Sequence, residues 1–145
     1  MGIRRQAREC ALQMLYQLDL SGLTPREVIQ RFWEVSEAPP EVRTFATSVV
    51  EGVASQLSGI DERITAHSTN WKISRMAAVD KNILRMAVYE LTSCPDIPVK
   101  VTINEAVEIA KRFGTAESGA FVNGILDNIA REIEKKAEGE VEPDA

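Results

Sequence analysis

Arg4, Arg5 and Arg8 all fall within the first eight residues, with no acid among them, and Tyr16 follows about two helical turns further on. Guanidinium groups match the planar, forked geometry of phosphate oxygens, and an aromatic ring close by offers a face for a nucleobase. That is chemistry for holding a strand of nucleic acid, and it neither makes nor breaks a bond. The same residue types also serve as the solvated side of an amphipathic helix, because short arginine clusters are common. On these residues alone both readings stay open.

Other chemistry finds little support. The chain carries no Gly-rich phosphate loop, no HExxH, no GxSxG and no cysteine cluster. Its one histidine, His67, has no Ser, Cys or Asp motif attached and reads as a surface residue near a helix end. Cys10 and Cys94 lie far apart with no metal-spaced neighbours, so neither a metal site nor a disulfide is expected. The carboxylates sit on solvated faces or in the C-terminal tail, where paired acid–base work has no setting. The expectation is a binding protein, not an enzyme, with no catalytic residues, metal or cofactor.

A length of 145 residues suits one domain with a real core, and 44% hydrophobic with 27% charged residues is ordinary globular composition. No apolar run approaches the ~20 residues needed to span a bilayer, and the N-terminus lacks a secretory pattern. Gln6 stands where a myristoylation signal has Ser or Thr. A cytoplasmic protein with no membrane partner is expected. The net charge of −5 is concentrated at one end, since six acids but only Lys135 and Lys136 lie from Glu132 onward. Local patches, not net charge, govern where a polyanion docks.

The arginines need an element to position them. Ala7, Cys10, Ala11, Met14, Leu15 and Leu18 recur at spacings of three and four, which predicts a first helix with one buried face and the arginines along its flank. After a break at Ser21-Gly22-Leu23, Thr24-Pro25-Arg26-Glu27 forms a capping box with proline at the first position. Pro39-Pro40 ends that second helix. Phe45, Val49, Val53, Leu57, Ile60 and Ile64 then predict one long helix from Glu41 to near His67, weakened by Gly52 and Gly59. Ser68 to Arg75 reads as a linker in which Trp71 packs.

A third strong helix runs from about Ala77 to Ser93, with Ile83, Leu84, Ala87, Val88 and Leu91 inward. Lys81, Arg85 and Tyr89, at i, i+4 and i+8, form an outward stripe, and Asp80 sits at the helix start where a carboxylate caps or bridges. Thr102-Ile103-Asn104-Glu105 reads as a second capping box opening a helix to Phe113, with Glu108 and Arg112 paired on its solvent side. A last helix starts between Thr115 and Ser118. The predicted class is all-α: two small packed bundles of about six or seven helices, in one domain over 1–137 with subdomains of about 1–68 and 76–137. Residues 138–145 form an acidic tail expected to be disordered.

Four segments carry a resemblance: RRQARECALQMLYQLD at 4–19, VDKNILRMAVYEL at 79–91, VTINEAVEIAKRFG at 101–114 and FVNGILD at 121–127. In that order and spacing they resemble the NusB family of transcription antitermination factors, across Arg4 to about Ile133. The resemblance implies an all-helical RNA-binding factor that pairs with a small ribosomal protein, NusE. The pair would bind single-stranded boxA-type RNA within the RNA polymerase antitermination complex and promote ribosomal RNA transcription. It also implies that Arg4, Arg5 and Arg8 contact RNA, with Glu117 and Phe121 at a turn beside that surface. This turn has Gly119-Ala120 where relatives can carry a basic residue. Tyr16 and Asp80 fall where the family meets its ribosomal partner, and Lys81, Arg85 and Tyr89 are taken with them. Relatives differ in whether they form a homodimer. The rival reading is a helical protein–protein adaptor without direct RNA contact, its arginines facing an acidic partner.

Overall fold

Apolar periodicity becomes seven α-helices and one short 3-10 turn, with no strand, among the described residues of the computed structural model, 2–69 and 71–141. The helices are α1 (Ile3–Ser21), α2 (Pro25–Val35), α3 (Pro40–Ser55), α4 (Leu57–Ala66), α5 (Ala78–Ser93), α6 (Val99–Phe113) and α7 (Ser118–Val141). Gly22 ends α1 at φ 68°, a left-handed conformation that glycine adopts without a Cβ penalty. At the start of α2 the capping box forms as expected, the Glu27 N–H donating to the Thr24 hydroxyl while the Thr24 N–H donates back to the Glu27 carboxylate.

Several local expectations need correction. The single helix from Glu41 to His67 is two helices, because Gln56 leaves the helical region at φ −113°, ψ 17°. The break lets α4 turn onto α5 and α7, where Asp61 and Arg63 find partners. The second capping box does not form: α6 opens at Val99 behind Pro98, whose fixed φ already suits a helix start. Thr102 is consequently buried inside the helix and Glu105 is released for a tertiary contact. Arg112 pairs with Glu9 of α1 and not with Glu108. Trp71 does not pack but stands 56% exposed beside the Ile73–Arg75 turn. Of residues 138–145, expected to be a disordered tail, those up to Val141 continue α7, and 142–145 lie outside the described residues.

Helices α1, α2 and α3 form one bundle, and α4 to α7 pack around α5 in the other. One continuous buried cluster joins them, running from Ala7, Met14 and Leu15 through Val49 and Val53 to Ile83, Leu84, Leu126 and Ile129. Each fully buried Ile or Leu of that set contributes roughly 1.5–3 kcal/mol. Helix α5 is the axis, in contact with α1, α3, α4, α6 and α7. Asn82 to Val88 are therefore buried without interruption, and α5 has almost no outward side.

Candidate nucleic-acid interface

The pairing of α1 with its neighbours sorts the three N-terminal arginines by depth. Arg8 lies on the seam between α1 and α5 and is 2% exposed. Its Nε and Nη2 donate to the Glu90 carboxylate at 2.7–3.1 Å, and Glu90 is equally buried. Two opposite charges in a bidentate geometry can share a site that neither could occupy alone. Arg5, half-buried, donates from Nε to Glu105 of α6 at 2.6 Å. The same carboxylate stands 4.0 Å from Arg8 Nη1, so Glu105 ties the two arginines together. Arg4 is exposed and its guanidinium carbon lies over the Phe45 ring of α3, 4.1 Å from its centroid. A guanidinium stacked in this way keeps its N–H edge free for oxyanions.

The expectation that all three arginines flank α1 in solvent thus holds for Arg4, holds partly for Arg5 and fails for Arg8. Three residues fix this gradient, Phe45, Glu90 and Glu105, and nothing in the sequence ties them to the arginines. Their sequence separations from the arginines reach 100 positions, so no local periodicity signals them. Glu9 on α1 receives Arg112 of α6 at 3.2 Å, a second long-range tie between these helices beside Arg5–Glu105.

At the other end of α1 a second charged cluster closes. Asp19 accepts from Asn82 at 2.9 Å and from Arg85 at 3.0 Å, and Lys81 stands 3.1 Å away. Arg85 also donates twice to Asp61 of α4, at 2.8 and 2.9 Å. Burial alone would push the Asp19 carboxyl up, but the Asn82 amide, Lys81 and Arg85 together hold it below its ordinary range. Burial would lower Arg85, and the two aspartates more than compensate, raising it. The outward stripe of Lys81, Arg85 and Tyr89 is accordingly corrected. Arg85 is buried, Lys81 is half-buried against Asp19, and the Tyr89 ring lies across Gly52, where any Cβ would collide with it. The physical reason is the central position of α5, which turns its polar residues toward α1 and α4.

Tyr16 is 41% exposed on α1 and Asp80 occupies the first turn of α5. Asp80 makes no side-chain cap bond, and its Oδ1 is buried with no hydrogen-bond partner among the described residues. It lines a cavity of about 380 Å³ together with Trp71, Arg75, Glu117, Ser118 and Phe121. Glu117 is exposed and Phe121 half-buried at the start of α7, so the structure brings Asp80 and these two onto one depression. His67, expected at the surface, is hydrogen-bonded to Glu132 of α7.

The family model described as "NusB family" matches residues 5–131. The chain belongs to the NusB family. A relative from Sorangium cellulosum (strain So ce56), "Transcription antitermination protein NusB", is 48% identical over 133 residues, 92% of this chain and 95% of its own. The solved T. maritima NusB is 40% identical with TM-score 0.79, covering 89% of this chain and 91% of its own. A crystal structure of antitermination factors NusB and NusE in complex with dsRNA matches with TM-score 0.82 at 28% identity, over 91% of this chain and 98% of that one. The seven-helix NusB fold, with α5 at its centre, is therefore the frame on which the arginine edge sits.

Proposed function

We propose that this protein is an RNA-binding transcription antitermination factor that pairs with the ribosomal protein NusE on boxA-type RNA to promote ribosomal RNA transcription. It acts in the cytoplasm as part of the RNA polymerase antitermination complex and catalyses no reaction, and one domain over 1–137 carries the activity. The observation that carries this reading is the preset edge of α1, with Arg4 stacked on Phe45 and Arg5 braced by Glu105. Guanidiniums ordered before binding lose less rotamer freedom when a strand arrives. Arg8 supports them from below through Glu90 and Glu105 and does not itself touch RNA. Glu117 and Phe121 extend the surface at the start of α7, with Phe121 offering a ring to a base. Tyr16 and Asp80 face NusE, the exposed phenol and the unpartnered carboxylate oxygen awaiting a donor from it. Two weak footholds on one strand, one from each protein, raise affinity through effective concentration.

The reading is tested by titrating fluorescently labelled boxA-type RNA, single-stranded, annealed to its complement, and scrambled, with and without NusE. Protein concentration is varied because a homodimer over the arginine edge would compete with RNA. Arg4→Ala with Arg5→Ala should weaken binding about tenfold and flatten its salt dependence. Tyr16→Ala and Asp80→Ala should weaken NusE binding by about the same factor while changing RNA binding by the isolated protein less. If NusE binds but no RNA does, with or without it, the protein is an adaptor and the RNA assignment is wrong.

A further inference from the structure

We propose that the last turn of α6, Lys111, Arg112 and Phe113, is a further RNA-contacting site that joins the α1 arginines to the turn at Glu117–Phe121. The inference rests on the RNA reading above and adds residues to which that reading gives no role. Basic residues in the last helical turn ordinarily answer the helix dipole, and their presence alone means little. Here their directions differ from that role. Arg112 reaches across to Glu9 of α1 at 3.2 Å, which places its guanidinium on the same edge as Arg5. The same guanidinium carbon lies 5.2 Å from the centroid of the Phe113 ring, and that ring is 42% exposed. An aromatic left in solvent with a cation on its face is the arrangement single-strand binders use to stack a base and hold the next phosphate.

Lys111 runs the other way. Its stem crosses the first turn of α7, where a Cβ at Gly119 would stand 3.2 Å from Lys111 Cγ. The missing side chain at Gly119 keeps that path open. The segment from Thr115 to Phe121 has no basic residue of its own, so Lys111 supplies the cation over it. Its ion pair with Glu108, at 3.6 Å, is between two exposed side chains and holds it weakly. From Arg4 to Phe121 the surface then carries four cations and three rings: Arg4 on Phe45, Arg5, Arg112 on Phe113, Lys111 and Phe121. A strand that meets the α1 arginines and reaches α7 passes over this turn.

The test uses the full chain and the labelled single-stranded boxA-type RNA, read by anisotropy across a salt series, with Arg4→Ala as the reference variant. Lys111→Gln with Arg112→Gln should weaken binding about tenfold and lower the salt slope by about 0.7 for each lost phosphate contact. Phe113→Ala should weaken binding about tenfold with the slope unchanged. Lys111→Arg with Arg112→Lys should keep both affinity and slope near wild type. All three positions are exposed, and a thermal melt of each variant should match wild type closely. If wild type binds and Arg4→Ala weakens it, but the glutamine pair leaves affinity and slope unchanged, the track does not cross α6 and this inference fails alone. If wild type binds no RNA, the functional reading fails and this one with it.

Discussion

Helix α1 carries charge at both ends, and the two ends do opposite things with it. At its start, three arginines grade from solvent to core: Arg4 on the Phe45 ring, Arg5 against Glu105, Arg8 sealed on Glu90. At its far end Asp19 closes a cluster with Asn82, Arg85 and, beyond it, Asp61. The first arrangement leaves guanidinium edges free for a partner, while the second consumes nearly every donor internally. The difference does not lie in residue type, since arginine is the cation in both. It lies in what packs opposite. Beside Arg4 stands a ring, which orders the guanidinium without neutralising it; beside Arg85 stand two carboxylates on two different helices. An arginine is available for recognition where its neighbour holds it in place and leaves part of the guanidinium in solvent, as at Arg4 and Arg5, and is lost to it where carboxylates enclose it, as at Arg85.

That contrast can be broken first at Arg8. Arg8→Ala strands a carboxylate at 2% exposure, so stability should fall by roughly 3–5 kcal/mol, and RNA affinity measured below the lowered melting point should change little by comparison. A mild thermal effect together with a large RNA effect would move Arg8 back among the contact residues. Arg85→Ala should cost less, about 1–3 kcal/mol, because Asp19 keeps Asn82 and Lys81 and both aspartates reach partial solvent. Urea unfolding of the two variants side by side gives the ranking, and Arg85→Ala equalling Arg8→Ala would mean the two clusters are equally closed.

The smallest expected effect is with pH. Asp19 has its folded-state carboxyl held below the ordinary range, which means the unfolded chain takes up its proton first as pH falls. The cluster therefore contributes its stability above the ordinary carboxylate pKa, about 4, and loses it as pH drops through the lower folded value. Thermal melts from pH 7 to pH 3 should show wild type losing more stability than Asp19→Asn below about pH 4. Parallel curves would remove Asp19 from the balance.

The fold class, the position of α1, the α2 capping box and the start of α7 were legible in the sequence because spacings of three and four and local cap signals are properties of near neighbours. The same spacing misled at α5. Lys81, Arg85 and Tyr89 share a face at i, i+4 and i+8, and a charged face on an amphipathic helix ordinarily meets water. On a helix surrounded by five others it meets Asp19, Asp61 and Gly52 instead. The long helix over Glu41 to His67 was misread for a related reason: its apolar register continues through Gln56, and only the need of α4 to reach α5 and α7 breaks it.

By itself the sequence determined that an all-α chain of about six or seven helices would form and that arginines would lie beside the buried face of the first. Periodicity, caps and composition are properties of neighbours along the chain, and they settle local structure without knowing what lies across it. Tertiary structure alone decided which arginine is free. Glu90, Glu105 and Phe45 are separated from their arginines by tens of residues, and a charge acquires its exposure and its partner only when another helix is laid against it.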